Sequence, residues 1–199
     1  MVVAAVILAA GESTRLAAGN KLTLPVGGKP MIAGVVDTVI EAGFSPVIVV
    51  AGFDEPAIRK ALEDRKVHFV SNPGWELGLA GSLRTGIAAL PGAVDGALIM
   101  LGDMPLVKAS TIQALKTSFI AAGGERIVYP TCEGRQGNPV LFPARFFDDL
   151  LNLQGDRGAK ELLKKHAADT VAVPVESREV LQDCDSEEDY ARTLSLLEE

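Results

Sequence analysis

Apolar residues run without interruption over residues 2–8, and shorter runs recur over 46–50 and 97–101. Continuous β-branched stretches of this kind predict strands covered on both faces rather than strands with one wet side. Between them the spacing becomes helical, over 31–42 closed by Gly43, over 55–65 after the cap candidate Asp54, and over 81–90 before Pro91. Past residue 101 the pattern predicts a helix over 110–122, strands over 127–129 and 139–142, and a last helix over 187–197. Gly123-Gly124 and the loop 133–138 read as mobile turns, and no repeat, low-complexity tract or linker interrupts the chain. The expectation is one α/β domain with a mixed sheet. Ligands of such sheets gather at the carboxyl ends of the strands, which directs attention to the loops that follow them.

Composition narrows the partners. A chain of 199 residues, 48% hydrophobic and 23% charged, is long enough to bury a core as one domain. Its formal net charge of -7 provides no broad basic field for a nucleic-acid polymer or a membrane surface. A small anionic ligand stays compatible with it, since a few cations and backbone N–H groups suffice to hold phosphates. Cys132 and Cys184 match no paired metal-ligand spacing and predict inert, reduced thiols in the cytoplasm. The apolar N-terminus lacks a basic lead and is much shorter than the ~20 residues that span a bilayer, so it reads as a first strand.

The loop after that strand, Leu8-Ala9-Ala10-Gly11-Glu12-Ser13-Thr14-Arg15-Leu16, leaves through small residues that let main-chain N–H groups approach a phosphate or a base edge. Arg15 and Lys21 follow as cations, although a plain strand-to-helix turn with solvated charges explains the same residues. A Walker A loop is excluded, because Gly19 precedes Asn20-Lys21-Leu22 and Gly28-Lys29 precedes Pro30. A dinucleotide fingerprint is excluded as well, because the next glycine after Gly11 is Gly19. The only histidines, His68 and His166, stand alone, His68 as a structural residue, and no serine sits in a G-x-S-x-G context.

Two carboxylates stand out. The run 97–101 leads into Gly102-Asp103-Met104-Pro105, which puts Asp103 at the carboxyl end of a buried strand, where it serves either a ligand or the cap of the next turn. Asp185 precedes Ser186-Glu187-Glu188-Asp189, a stretch that also reads as a helix N-terminus with acids favouring its dipole. The segment Asn72-Pro73-Gly74-Trp75, followed by Gly78 and Ser82, is a turn leading into a helix, with Trp75 as packing.

The first loop, Lys21, Pro25-Val26-Gly27-Gly28-Lys29-Pro30, the GDMP tetrad and the segment Asp183-Cys184-Asp185-Ser186-Glu187-Glu188-Asp189 together resemble the MobA-like nucleotidyltransferases, in particular the molybdenum cofactor cytidylyltransferase branch. This chain has Leu16-Ala17-Ala18 where methionine-glycine is more usual, and Ser186 where threonine is common. The resemblance implies a three-layer α/β/α domain over 1–199, with a mostly parallel mixed sheet of the nucleotide-diphospho-sugar-transferase, Rossmann-like type. It divides the chain into a nucleotide-binding half, 1–105, and an acceptor-binding half, 106–199. It implies Mg²⁺ on Asp103 and Asp185, and catalytic cations at Arg15 and Lys21. The nucleotide site is then Leu8, Ala9, Ala10, Gly11, Arg15, Lys21, Asn72, Gly78, Ser82 and Asp103. Gly137 and Asn138, with Asp156 and Arg157, resemble the loops on the acceptor side.

The reaction implied is transfer of CMP from CTP to the phosphate of the molybdenum cofactor, molybdopterin, with release of pyrophosphate, and a recipient molybdoenzyme as a further partner. Ala10 favours CTP, since guanylyl-transferring relatives usually carry Leu-Ala-Gly-Gly there. GTP as donor, another phosphorylated acceptor, and a noncatalytic cofactor carrier for a molybdoenzyme are the alternatives.

Overall fold

The computed structural model describes residues 1–12, 19–155 and 158–197. In chain order the elements are β1 (Val3–Ala9), β2 (Pro25–Val26), β3 (Lys29–Pro30), α1 (Met31–Glu41), β4 (Val47–Ala51), α2 (Glu55–Ala61), β5 (His68–Ser71), α3 (Leu79–Ala88) and β6 (Gly96–Leu101). They continue with α4 (Ala109–Ala121), β7 (Ile127–Cys132), β8 (Arg135–Gln136), β9 (Val140–Pro143), α5 (Phe147–Leu151), α6 (Ala159–Lys165), β10 (Thr170–Pro174) and α7 (Glu187–Leu197).

The main sheet runs β10-β7-β9-β6-β1-β4-β5, with β8 paired to β7. β1 lies parallel to β4 and β6, β4 to β5, and β7 to β10, while β9 runs antiparallel to β6 and β7. The mostly parallel mixed sheet is the one expected. Alternation along β1 builds both cores: Val3, Ala5, Ile7 and Ala9 face the layer of α1, α2 and α4, whereas Val6 and Leu8 face that of α3, α5 and α6. A strand apolar on both faces therefore needs helices on both sides, which is the origin of the three layers.

The chain builds outward from β1 through β4 to β5, then returns to the other side of β1 with β6. Leu8 and Leu101 are paired at the carboxyl ends of β1 and β6, beside the crevice that such a reversal opens.

Some elements differ from expectation. The helix after Asp54 ends at Ala61, and Asp54 itself sits at φ 48° without a capping side-chain bond. The loop 133–138 contains β8, paired with β7. His68, expected on a structural apolar stretch, is exposed on the edge strand β5. Cys132 and Cys184 are buried and free, as inert thiols should be.

Gly86 is where α3 touches the sheet: a Cβ there would collide with Val6 Cγ1 and come within 2.9 Å of Val50 Cγ2. Overpacking of this kind costs about 1–3 kcal/mol, more than the roughly 1 kcal/mol of helix propensity that alanine returns. Gly86→Ala is thus expected to lower the melting temperature by several degrees, at about 2–4 °C per kcal/mol for a chain of this size. An unchanged or raised melting temperature by calorimetry would refute this contact.

Candidate functional site

At the carboxyl ends of β1 and β6 lies a cavity of about 360 Å³ walled by Leu8, Ala9, Ala10, Gly11, Lys21, Gly78, Ser82 and Asp103, among others. Each arrives for a local reason. Asn20 is buried, and its Oδ1 accepts from the Leu22 N–H at 3.1 Å, which starts the short turn that carries Lys21 inward. Asp103 leaves β6 and is anchored from behind by Met104 and Val107, both buried. Ser82 lies in the first turn of α3, whose start is held by the Ala80 N–H donating to the Gly155 carbonyl at 3.1 Å.

Lys21 Nζ donates to Asp103 Oδ2 at 2.7 Å and to Asp185 Oδ1 at 2.5 Å. Three side chains 82 and 164 residues apart thus share one point. Asp185 is delivered by the start of α7. Ser186 Oγ donates to Asp189 Oδ2 at 2.6 Å, and the Asp189 N–H donates back to Ser186 Oγ at 3.2 Å. This reciprocal cap fixes the helix start, so the capping and the ligand readings of the segment hold for different residues. The Cys184 N–H donates to the Asp103 carbonyl at 2.9 Å, tying the two acid-bearing segments backbone to backbone.

Burial pushes the Asp103 carboxyl above its ordinary value, Lys21 pulls it back, and Asp185 and Asp183 raise it further. Burial also opposes the Lys21 ammonium, but the charge and hydrogen bonds of Asp103 and Asp185 outweigh it and hold that pKa above the ordinary lysine value. The three groups form a charge cluster kept together against a desolvation cost.

The donor set suits a hard divalent cation. Asp103 Oδ1 is buried and has no hydrogen-bond partner among the described residues, while its other oxygen and Asp185 already face a cation. Among the described residues no three His, Cys, Asp or Glu side chains converge to hold a metal unaided. Magnesium commonly takes one or two carboxylates and completes its octahedron with phosphate oxygens and water.

Asn72 stands behind the cavity. Its Nδ2 donates to Ser82 Oγ at 3.0 Å and its Oδ1 accepts from the Gly74 N–H at 3.2 Å, so it braces the turn and orients the serine. Trp75 packs edge-on against Phe53, as a packing residue would, and also lines the cavity. Arg15, Asp156 and Arg157 lie outside the described residues.

A second cavity of about 280 Å³ adjoins the first and shares Leu8, Leu79 and Leu101 with it. Its floor is apolar, through Leu83 and Ile99, and its polar groups are Asn138, Lys160 and Asp183. Gly137 lines neither cavity. It packs under Val180, where a Cβ would lie 2.7 Å from the Val180 carbonyl oxygen. Sequence reasoning assigned no role to Asp183, Lys160, Glu12 or Glu76, although all four line the two cavities.

A family model described as "MobA-like NTP transferase domain" matches residues 5–171. The crystal structure of Rv0371c from Mycobacterium tuberculosis H37Rv superposes with a TM-score of 0.85 at 28% identity, covering 98% of both chains. A manganese complex of that protein superposes with a TM-score of 0.80, covering 98% of this chain and 99% of the other. A nucleotidyl transferase from Methanothermobacter has a TM-score of 0.84 over 98% of this chain and 97% of its own, at 24% identity, which speaks to the fold alone. Among curated proteins, the bifunctional protein GlmU of Sinorhizobium fredii is 38% identical over 126 residues, 62% of this chain and 27% of GlmU. The alignment thus spans about a quarter of that relative's length. No helix of the described residues is long and apolar enough to cross a membrane.

Proposed function

The chain belongs to the MobA-like NTP transferase domain family, and from that premise we propose that it is a cytoplasmic, magnesium-dependent cytidylyltransferase that transfers CMP from CTP to the phosphate of the molybdenum cofactor. The observation that carries this reading is the meeting of Lys21 with Asp103 and Asp185 at the end of the Leu8–Gly11 cavity.

In the proposed reaction an oxygen of the acceptor phosphate attacks the α-phosphorus of CTP in line, and pyrophosphate leaves with the electron pair of the broken bond. The attacking phosphate is already anionic, so no side chain has to remove a proton from it. Leu8 to Gly11 border the nucleotide, with Ala10 narrowing the space for the base, and Ser82, oriented by Asn72, reads its edge. Asp103 and Asp185 would hold Mg²⁺, which neutralises charge on the triphosphate when bound. Lys21 turns from the acids towards the phosphates and stabilises charge on the leaving pyrophosphate, joined by Arg15 as the family resemblance implies. The acceptor lies in the adjoining cavity against Asn138, with Asp156 and Arg157 as the further acceptor contacts that the family resemblance implies. That a similar protein, Rv0371c, forms a complex with manganese supports a divalent ion as the cofactor. The recipient of the product is a molybdoenzyme.

The test is pyrophosphate release by purified protein with Mg²⁺, molybdenum cofactor and CTP, GTP or ATP in turn. CTP is expected to exceed GTP by at least about tenfold, on the order of 1.4 kcal/mol of discrimination. Preference for GTP would overturn the role of Ala10. Release only with a sugar phosphate in place of the cofactor would overturn the acceptor, and no release with any nucleotide would leave the carrier alternative standing.

A further inference from the structure

Between β10 and α7 the chain runs as a strap, 175–186, that delivers Asp183 to the acceptor-side cavity and Asp185 to Lys21. One side chain on this strap is out of place for its type. Glu179 is only 4% exposed, although unpaired carboxylates avoid the interior. Its Oε1 accepts from Thr111 Oγ1 at 2.6 Å and from the Lys108 N–H at 3.2 Å, both at the start of α4. Its Oε2 accepts from Ser177 Oγ at 3.0 Å. The Lys108 ammonium lies 3.9 Å away and is largely exposed.

The partners of Glu179 are what give it reach. Lys108 and Thr111 follow directly on the loop that carries Asp103, so the carboxylate clamps the strap to that loop. One residue on, the Val180 carbonyl accepts from the Asn138 N–H at 2.8 Å, and its side chain fills the space left by Gly137. Further along, Cys184 bonds the Asp103 carbonyl. The Val175 N–H also donates to the Thr131 carbonyl at 2.8 Å and Arg178 pairs with Glu133 at 2.7 Å, so the strap is tied to β7 and its turn as well, and the buried acid is the attachment that joins it to the start of α4.

We infer that Glu179 is a positioning residue, which holds the strap so that Asp185 meets Asp103 and Asp183 meets the loop of Asn138. This rests on the nucleotidyl-transfer reading for its catalytic consequence, but the brace itself is testable without it. A geometric origin explains why a carboxylate is used: it accepts three bonds from donors on two segments, which no apolar residue of the same size can do.

The experiment compares Glu179→Ala, Glu179→Gln and Thr111→Val with the wild type in amide hydrogen exchange. Glu179→Ala is expected to speed exchange at least tenfold at Cys184 and Asn138, with β1 and β4 unchanged. Glu179→Gln, which can still accept from Thr111 and Lys108 while donating to Ser177, should restore protection to within about threefold, and Thr111→Val should fall between. This readout needs neither nucleotide nor metal, so it stands or falls independently of the reaction. In the CTP assay, kcat of Glu179→Ala should fall about 10²-fold, the order expected of a 1 Å misplacement, with KM for CTP within threefold and recovery in Glu179→Gln. Unchanged exchange at Cys184 and Asn138 in Glu179→Ala would overturn the brace. So would equal damage in the alanine and glutamine variants. If Glu179→Ala does not fold, Thr111→Val and Glu179→Gln decide: protection at Cys184 reduced in the first and kept in the second supports the brace, and any other result overturns it.

Discussion

Asp103→Asn is expected to reduce the proposed CMP transfer by about 10³-fold while leaving the metal-free protein at least as stable as the wild type. The first half follows from the oxygen donors. An amide in place of the carboxylate removes a charged ligand from a pair that no third His, Cys, Asp or Glu joins in a metal-holding group among the described residues. The second half follows from the direction of the pKa. A carboxyl held above its ordinary value in the fold binds its proton more tightly there than in the unfolded chain, so its ionised form is kept at a net cost. The sign is then set. This group's contribution to stability falls as pH rises from the ordinary value of 3.8 through the higher folded value, and the amide lacks that loss. Lys21 keeps Asp185 as a partner in the variant. Thermal melts in chelator between pH 5 and 8, together with the pyrophosphate assay, check both halves. A variant that melts several degrees below wild type would show the ionised Asp103 to be a net stabiliser, and retained turnover would remove it from the metal site.

The trade between function and stability at this point also shows what the chain pattern carried and what it did not. The strands β1, β4 and β6 were legible because burial on both faces leaves unbroken apolar runs, and α1 because Gly43 closes it. The edge strands β5 and β10 were not, since half-exposed runs of four and five residues mix polar and apolar positions without a period. The helices α5 and α6, with five and seven residues, are too short to show helical spacing. At Asp54 the residue type suggested a cap, but its left-handed backbone turns the side chain away from that duty.

The site divides in the same manner. The Leu8–Gly11 loop and Asp103 announce themselves locally, as small residues or a carboxylate at the end of a buried strand. That Lys21 should meet Asp185 across 164 residues is a tertiary fact, for which only the order of motifs in the family offered a guide. Lys160 and Asp183 went unassigned because a single exposed charge looks the same in sequence whether or not it borders a cavity. Glu179 went unnoticed for the converse reason: nothing in Ser-Arg-Glu-Val foretells that this glutamate is buried.

Lys21→Met is expected to produce a protein whose stability depends on divalent metal to a degree the wild type's does not. In the wild type the ammonium stands between Asp103 and Asp185, with Lys21 and Asp103 side chains 14% and 19% exposed. Removing one partner of a buried ion pair costs about 3–5 kcal/mol, and the 40% exposure of Asp185 discounts this to roughly 2 kcal/mol, or about 4–8 °C of melting temperature. The loss is expected across the neutral range, because the raised lysine pKa keeps its stabilising charge in place below the ordinary value of 10.5, and it disappears only as pH climbs through the higher folded value. Acid should partly relieve the variant, since protonating Asp103 removes the repulsion that methionine cannot offset. Magnesium or manganese, placed between the same two acids, should relieve it more fully, giving a thermal shift several degrees larger than in the wild type. Transfer should nevertheless stay down by about 10²-fold or more, because the metal replaces the ammonium between the acids and not on the departing pyrophosphate. Equal metal-induced shifts in variant and wild type would mean that the ion does not bind between Asp103 and Asp185, and the metal site would have to be sought elsewhere.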